Sequence, residues 1–423
     1  MSDLFWPGDE RAGALFTDAA LLEGMVAMEA AWSAALAARG LAPAAAVVSA
    51  DDLLDGLTPD DMAGVVVAAE AGGDPVVPLV AMLRNRLVVA GRDEAAHWLH
   101  QGLSGQDVVD TALMICAGTT LRRLEIELGV QVTAITALAG AHRGTLMVGR
   151  TVTQHAVPTT FGARAAGWLA GVKDARASVA FAHSILPAQV GGTAGTLAAT
   201  VELARLRGVR DPVDVASKVA ADAAATLGLQ PSPPWFTSRF PVTRVGDALA
   251  TTCSAMGHVA ADVVTLTRPE VAEVSEPVAP GRGDSSTTPH QQVPVLATLV
   301  RRAAITAPGL AATLHTAAGL ANDERSDGAW HAEWATLRDL ARRTVVAASH
   351  LSELVSGLRV DVVTMGERVR AAEGVLRERD AVRVLLEGGD GSPASVPEEA
   401  TGGGDPASYL GIIDPVVDQR IKP

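Results

Sequence analysis

Three long runs of apolar residues at helical spacing constrain the fold of this 423-residue chain more than any other feature. The spacing is three or four residues almost throughout, with one threonine among the apolar positions: Leu121, Leu124, Leu128, Val132, Ile135 and Leu138; Val245, Leu249, Met256, Val259, Val263 and Leu266; and Leu337, Leu340, Thr344, Ala347, Leu351, Leu354 and Leu358. Residues at this spacing lie on one face of an α-helix. Because long helices with an apolar face must pack against other long helices, the sequence predicts an all-α protein with a central long-helix bundle.

Breaks in the helical pattern predict three domains. Residues 1–103 read as a helical N-terminal domain of short helices, interrupted by the glycines and prolines of AGGDPVVPLV at 71–80. Residues 104–358 read as the long-helix bundle, which opens where Ser104 and Asp107 have the spacing of a capping box. Residues 359–423 read as a small helical C-terminal domain, with a flexible loop rich in glycine and proline near 388–407.

One long irregular segment, from Glu276 to Val300, lies between these helices. Its prolines and glycines, which include Pro277, Gly283 and Pro289, cannot continue a helix. Long irregular segments inside helical chains are usually functional, although a plain linker is the alternative. The hydroxyls of Ser285 and Ser286 make this segment a candidate site of proton transfer.

Charge and composition exclude several classes of protein. The net charge of −14 disfavours nucleic-acid binding, because the phosphate backbone attracts basic surfaces. Cys116 and Cys253 lie in separate apolar helical patterns, which predicts buried thiols and a reducing cytoplasm. The N-terminus does not resemble an export signal, and no uninterrupted apolar run has membrane-spanning length, so no membrane association is expected.

Several short sequence motifs resemble those of the fumarase/aspartase superfamily, and in particular those of its 3-carboxy-cis,cis-muconate cycloisomerase branch. In chain order they are HWLHQGLSGQDVVDT at 97–111, GRTVTQHAVPTTFGARAAGWL at 149–169, QVGGTAGTLAA at 189–199, the signature-loop pattern GxSSxxPH at 283–290, ERSDGAWHAEW at 324–334 and DPASYLG at 405–411. Together they extend along most of the chain. The resemblance implies a three-domain helical fold and a homotetramer whose active sites are each built from three subunits.

The resemblance also implies a reaction. Members of this superfamily add or eliminate a group next to a carboxylate without a cofactor, and the carbanion intermediate requires hydrogen-bond donors and positive charge. We therefore expect a small di- or tricarboxylate as the substrate. Neither a cofactor nor a metal is expected, because His97 and His100 are spaced for helical neighbours but have no third ligand nearby in sequence.

Site residues follow from the matching words. Ser285 falls on the catalytic base of the signature loop, and His155 is the second acid/base candidate. The predicted substrate-binding residues are His100, Ser104, Arg150, Thr151, Gln154, Ser286, His290, Gln291 and Arg325. Arginine suits carboxylate recognition because its guanidinium donates two parallel hydrogen bonds, whereas a structural ion pair is the alternative for Arg150 and Arg325. The lysines are Lys173, Lys218 and Lys422, none of which falls in a candidate site.

The chain also departs from the superfamily pattern. The loop lysine falls on Gln291, the loop asparagine on Val293, the loop methionine on Thr288, the glycine before the serine pair on Asp284, the second residue of the Thr-Ser pair on Gly105, and the residue after GRT on Val152. Three interpretations stay open. The protein is a cycloisomerase-like enzyme, a lyase that releases fumarate from an N-substituted succinate or nitrosuccinate, or a non-catalytic relative that serves as a binding protein.

Overall fold

A computed structural model describes residues 4–284, 292–392, 396 and 404–422. The protein is mostly helical, which confirms the predicted all-α class. The helices are α1 (Asp18–Ala38), α2 (Ala50–Leu54), α3 (Pro59–Gly72), α4 (Val76–Val89), α5 (Asp93–Trp98), α6 (Gly105–Ala141), α7 (Phe161–Ser184), α8 (Ala198–Leu206), α9 (Pro212–Thr226), α10 (Phe240–Leu266), α11 (Val295–Gly319), α12 (Ala329–Gly357), α13 (Val362–Ala371), α14 (Arg377–Leu386) and α15 (Ile413–Ile421). The strands are β1 (Leu146–Thr151), β2 (Gln154–Thr160), β3 (Val274–Ser275) and β4 (Arg359–Val360).

Polar side chains cap several helix starts. Thr58 and Asp61 form a complete capping box at α3, and Ser49 and Asp52 do the same at α2. The capping box predicted at the start of α6 is confirmed, because the Ser104 N–H donates to Asp107 Oδ2 over 2.9 Å and the Asp107 N–H donates to Ser104 Oγ over 3.3 Å. Aspartate therefore replaces the usual glutamate or glutamine of this motif.

The apolar stripes are buried over most of their length. Every stripe residue predicted in α10 and α12 is buried, including Thr344. In α6, Leu121, Leu124, Leu128 and Ile135 are fully buried, whereas Val132 and Leu138 are only half-buried. The helical periodicity thus predicted the packing face correctly, apart from two half-buried positions in α6.

The chain forms two compact units. The first comprises Met1–Arg123, Ser178–Ala250 and Ala307–Val345, and the second comprises Leu124–Ala177, Thr251–Thr306 and Val346–Pro423. The first unit buries Trp32 and Leu113, while the second buries Trp168 with Phe161 edge-on against it at 5.6 Å. The division into three domains at 1–103, 104–358 and 359–423 stays a prediction.

Two antiparallel strand pairs were not predicted from the sequence. β1 pairs with β2, and the connecting Val152 and Thr153 both have positive φ, 48° and 72°, as a tight type I′ turn requires. His155 therefore lies in strand β2, opposite Arg150. Local sequence preferences do not indicate this hairpin, because Val and Thr rarely adopt the left-handed conformation. β3 and β4, which are far apart in sequence, form a second, shorter antiparallel pair.

The two cysteines are buried free thiols, as predicted, and burial raises the pKa of Cys116 to about 12. Four described helices, α1, α6, α10 and α11, have the length and apolar composition of membrane-spanning helices. The sequence has no uninterrupted apolar run of membrane-spanning length, but these four helices reach that composition although charged residues interrupt their apolar runs. The absence of membrane association stays a prediction.

Candidate functional site

A buried carboxylate organises the loop that carries QVGGTAGT in the first unit. Asp107 accepts hydrogen bonds from the N–H and hydroxyl of Ser104, the side-chain amide of Gln189, and the N–H groups of Gly191 and Gly192, all between 2.8 and 3.2 Å. Gly192 has φ +70°, which a side chain would strain, and a Cβ there would lie 3.1 Å from the carbonyl oxygen of Gly102. This network joins the start of α6 to the loop at residues 189–197.

Burial raises the pKa of Asp107 to about 6. The folded state then binds a proton more readily than the unfolded chain, so this carboxyl contributes stability at low pH that is lost as the pH rises from about 4 through 6. We expect wild type to lose roughly 3 kcal/mol relative to Asp107→Asn over that range. Urea denaturation of both proteins at several pH values measures the difference. A difference that does not vary with pH would mean that the five donors keep this carboxyl ionised throughout.

A second buried network lies one turn further along α6. Arg239 donates to Asp110 through two nitrogens at 2.6 and 2.9 Å and to Glu333 at 2.5 Å, and all three side chains are almost completely buried. The indole of Trp330 also donates to Asp110 over 2.9 Å, and Arg239 stacks over Trp235 at 4.8 Å. Burial raises the pKa of Glu333. These contacts fix helices α6, α10 and α12 to one another within the first unit.

Ser104 and Arg325 are both linked to the loop at residues 189–197, Ser104 through Asp107 and Arg325 directly. Arg325 donates from Nε to the carbonyl of Thr193 over 3.0 Å and from Nη2 to that of Gly192 over 3.2 Å, and it stacks over Phe236. Ser104 uses its hydroxyl on Asp107. Both residues are therefore engaged with protein groups, and their predicted roles in substrate binding stay predictions.

His100 precedes this loop in the first unit and keeps one ring nitrogen unused. Its Nδ1 lies 2.6 Å from Oε1 of Glu29, and its side chain is 20% exposed. No hydrogen bond to Nε2 occurs among the residues that the structure describes. His100 is therefore a predicted site residue in the first unit with a ring nitrogen open to a ligand.

Gly105, one of the departures from the superfamily pattern, faces the carboxylate of Asp74. A Cβ at Gly105 would lie 3.1 Å from Asp74 Oδ2, which is closer than most side-chain contacts. Asp74 is fixed there because it accepts the N–H of Val76 at the start of α4. The glycine thus gives the Asp74 carboxylate room, which supplies a local physical reason for the departure.

In the second unit, the β1–β2 hairpin carries four predicted site residues. Arg150 forms a bidentate ion pair with the fully buried Glu273, at 2.6 and 2.9 Å. This is the structural ion pair that was the alternative to substrate binding for this arginine. Thr151, Gln154 and His155 are exposed on the same hairpin. Whether Arg150 also contacts substrate stays a prediction.

The two ends of the signature loop are close together in the second unit. The Val293 N–H donates to the Gly283 carbonyl over 3.1 Å, and Glu276 accepts the Leu296 and Ala297 N–H groups at the start of α11. Burial raises the pKa of Glu276. Ser285, Ser286, His290 and Gln291 lie outside the described residues. Val293, another departure from the superfamily, therefore closes the base of the loop through its backbone.

Several residues of the buried networks were not predicted from the sequence. Glu29, Glu273 and Glu333 lie far in sequence from the residues they contact, and only Glu333 falls within one of the family motifs, ERSDGAWHAEW. Asp107 was recognised only as a cap, although the spacing of Asp107 and Asp110 in SGQDVVDT could have indicated two buried carboxylates on one helix face. Within residues 4–284, 292–392 and 404–422, no cluster of three or more His, Cys, Asp or Glu side chains is arranged to hold a metal.

Comparison with known proteins identifies the family. A family model described as lyase matches residues 9–309. Nitrosuccinate lyase of Streptomyces davaonensis is 41% identical over 375 residues, which cover 88% of this chain and 77% of that protein. A 3-carboxy-cis,cis-muconate cycloisomerase of Bradyrhizobium diazoefficiens is 36% identical over 371 residues, which cover 88% of this chain and 79% of that protein.

A solved structure shows the same fold. The 3-carboxy-cis,cis-muconate lactonizing enzyme of Pseudomonas putida matches with a TM-score of 0.83 and 29% identity, over 97% of this chain and 96% of that one. These three proteins are named as enzymes, which supports the enzymatic interpretation over the non-catalytic alternative. The chain therefore belongs to the lyase family of the fumarase/aspartase superfamily and is a lyase or cycloisomerase of that group.

Proposed function

We propose that this protein eliminates nitrite from nitrosuccinate, or a comparable anion from a substituted succinate, and releases fumarate. The observation that carries the proposal is the 41% identity to a nitrosuccinate lyase, against 36% to a cycloisomerase over a similar length. The expectation that no cofactor takes part belongs to the same proposal, as does a cytoplasmic location, which the buried free thiols support.

The chemistry of the leaving group fits the departures from the superfamily pattern. A base takes a proton from the carbon next to one carboxylate, the electron pair forms the new C=C bond, and the C–N bond breaks with its electrons on nitrite. Nitrite leaves as a stable anion and does not require a protonated donor, whereas an amine does. A site in which Gln291 replaces the loop lysine is therefore better suited to nitrite than to a poorer leaving group.

The residue roles in this proposal come from the matching sequence words. Ser285 is the base, and His155, exposed on its hairpin, is the alternative acid/base. The carboxylates are held by His100 and by the arginines and hydroxyls predicted as substrate-binding, with Ser286 and His290 on the signature loop. These assignments rest on sequence correspondence.

Incubation with candidate substrates tests the function. Nitrosuccinate, 3-carboxy-cis,cis-muconate and a set of N-substituted succinates are supplied separately, while nitrite is measured colorimetrically and fumarate by its ultraviolet absorbance. We expect nitrite and fumarate to appear in equal amounts. Consumption of the muconate without nitrite release would instead identify the cycloisomerase reaction, which the likeness to the Pseudomonas putida structure favours as the second candidate. No turnover of nitrosuccinate would contradict the proposal.

The homotetramer implied by the superfamily is proposed here as well. Only 33% of the most apolar stretch of α6, and 33% of that of α11, is buried within a single chain. Ile126 on α6 is 61% exposed, and Ile305 on α11 is 72% exposed. Such surfaces usually mark contacts with another protein or subunit. In the proposed assembly, each active site is built from three subunits.

We expect the protein to sediment as a tetramer at micromolar concentration. Ile305→Asp should shift the population toward smaller species, because a charge in an apolar interface loses its hydration without gaining a partner. Thr313→Asp, at an exposed position of the same helix, is the control and should leave the distribution unchanged. Sedimentation velocity measures both variants. A stable wild-type monomer would contradict the assembly and the shared site together.

A further inference from the structure

The segment that carries His100 is held in an unusual backbone conformation. His100 has φ +65°, in the left-handed region that residues other than glycine seldom occupy. On one side the Leu99 carbonyl accepts from Arg84 over 2.6 Å, and on the other the Gln101 carbonyl accepts from the Trp32 indole over 2.8 Å. Strained conformations of this kind persist where the surroundings fix them, and they concentrate at functional sites.

Glu29 supplies the third contact to this segment. It lies on α1, one turn before Trp32, and its side chain is completely buried. Oε1 is 2.6 Å from Nδ1 of His100, whereas Oε2 has no hydrogen-bond partner among the described residues. A buried carboxylate that uses only one of its oxygens stabilises a fold less than an apolar residue of the same size would. Stability therefore does not account for Glu29.

The contact fixes which nitrogen of the ring carries hydrogen. An ionised carboxylate can only accept a hydrogen bond, so Nδ1 of His100 must be the donor. Nε2 then has a lone pair when the ring is neutral and an N–H when the ring is protonated. Glu29 thus determines both the tautomer of His100 and the direction in which Nε2 points.

The two arginines predicted to bind substrate, one in each unit, already have protein partners. Arg150 is paired with Glu273, and Arg325 donates to two backbone carbonyls. The lysines lie outside the candidate residues. The open Nε2 of His100 is therefore a group that can donate to a dicarboxylate, when the ring is protonated, without first giving up a protein partner.

We infer that Glu29 is a positioning residue, which accepts the Nδ1–H of His100 and orients the ring so that, when the ring is protonated, its Nε2–H donates to a carboxylate of the substrate. This inference rests on the proposed function for the identity of the ligand. The contact with Glu29 itself does not depend on that function. Glu29 does not touch the substrate and acts only through the histidine ring.

Three substitutions separate the positioning role from a structural one. Glu29→Leu removes the acceptor, and Glu29→Gln keeps the size of the side chain while offering an amide that can donate to Nδ1. His100→Asn retains a donor near the position of Nδ1 but lacks Nε2. Glu23→Gln, on an exposed position of the same helix, is the matched control.

The kinetic expectation is a change in substrate affinity. Glu29→Leu should raise KM for the active dicarboxylate by about 10- to 100-fold, as loss of a residue that orients a ligand-binding histidine typically does, while kcat changes less. His100→Asn should raise KM at least as much, with a thermal midpoint near that of wild type. Glu23→Gln should have the kinetics of wild type. If Glu29→Leu and Glu29→Gln both retain wild-type KM, the inference is wrong.

Nitrogen-15 NMR of histidine-labelled protein tests the inference without turnover. The His100 signals, assigned by their loss in His100→Asn, should show hydrogen on Nδ1 in wild type and should shift toward the other tautomer in Glu29→Leu and Glu29→Gln. Fumarate should perturb the Nε2 signal, with a Kd about tenfold weaker or more in Glu29→Leu. An unchanged tautomer, or no response of Nε2 to fumarate, would overturn the inference. A fumarate response in a protein that turns over no substrate would instead place the failure in the proposed function.

Discussion

Arg239→Met is expected to lower the free energy of unfolding by about 3–5 kcal/mol, the largest stability effect of any single substitution proposed here. Arg239 is 2% exposed and is the shared partner of Asp110 and Glu333. Without the guanidinium, the buried carboxylates of Asp110 and Glu333 lose the cation that they share. Their repulsion and lost hydration then oppose folding at neutral pH.

A surface arginine provides the matched control for this experiment. Arg39 pairs with Asp222 at 2.6 Å, but the two side chains are 36% and 37% exposed. Exposed ion pairs contribute about 1 kcal/mol or less, so Arg39→Met should change stability little. Urea midpoints of both variants at neutral pH measure the difference. Similar small losses in both would show that the buried network does not hold the helices of the first unit together.

Acidification should reduce the loss of stability caused by Arg239→Met. Burial already raises the pKa of Glu333 in wild type, and removal of the nearby positive charge raises it further. In the variant, protonation of Glu333 at low pH relieves the repulsion with Asp110. The difference in the free energy of unfolding between wild type and Arg239→Met should therefore become smaller as the pH falls from 7 toward 5.

Ser285→Ala is expected to lower kcat for the true substrate by roughly 10²- to 10⁴-fold, because the substitution removes the proposed proton acceptor. Stability should be close to that of wild type, since a substitution that removes one hydroxyl usually changes stability little. The comparison uses the nitrite and fumarate assay together with a thermal midpoint. If Ser285 has only a structural role, its replacement should change both kcat and the thermal midpoint, or neither of them.

Thr287→Val is the control for Ser285→Ala, because it removes a hydroxyl from the same loop at a position that the superfamily pattern leaves open. It should keep activity within a few-fold of wild type. If Ser285→Ala is as active as Thr287→Val, the base has been assigned to the wrong residue. His155 is then the next residue to replace, because it is exposed and titratable on the β1–β2 hairpin.

Restoration of the superfamily residues would test the meaning of the departures. Gln291→Lys with Val293→Asn returns a positive charge and an amide to the signature loop. A gain of activity on 3-carboxy-cis,cis-muconate would indicate a site that is otherwise suited to cycloisomerisation. The absence of a gain would direct attention to Gly105, where the carboxylate of Asp74 fills the space that a serine side chain would need.

The sequence by itself determined the helical class, most of the buried helix faces and the superfamily. Helical periodicity is a local property, since residues three and four apart share a face whatever packs against it, and the cap formed by Ser104 and Asp107 is equally local. The short family motifs also led to the prediction that Ser104, His100 and Arg325 bind substrate, because such motifs carry the family pattern without reference to the rest of the fold; this stays a prediction.

Only the tertiary structure decided which charges are paired and which remain open. Arg150 and Arg239 look alike in sequence, but the structure shows that their partners are Glu273 in one case and Asp110 with Glu333 in the other, at separations of 94 residues or more. The hairpin that places His155 opposite Arg150 depends on a strained turn that local preferences oppose. Glu29 reaches His100 across 71 residues. Such pairs form because burial forces each charge to find a partner, and the partner is set by how helices pack rather than by neighbouring residues.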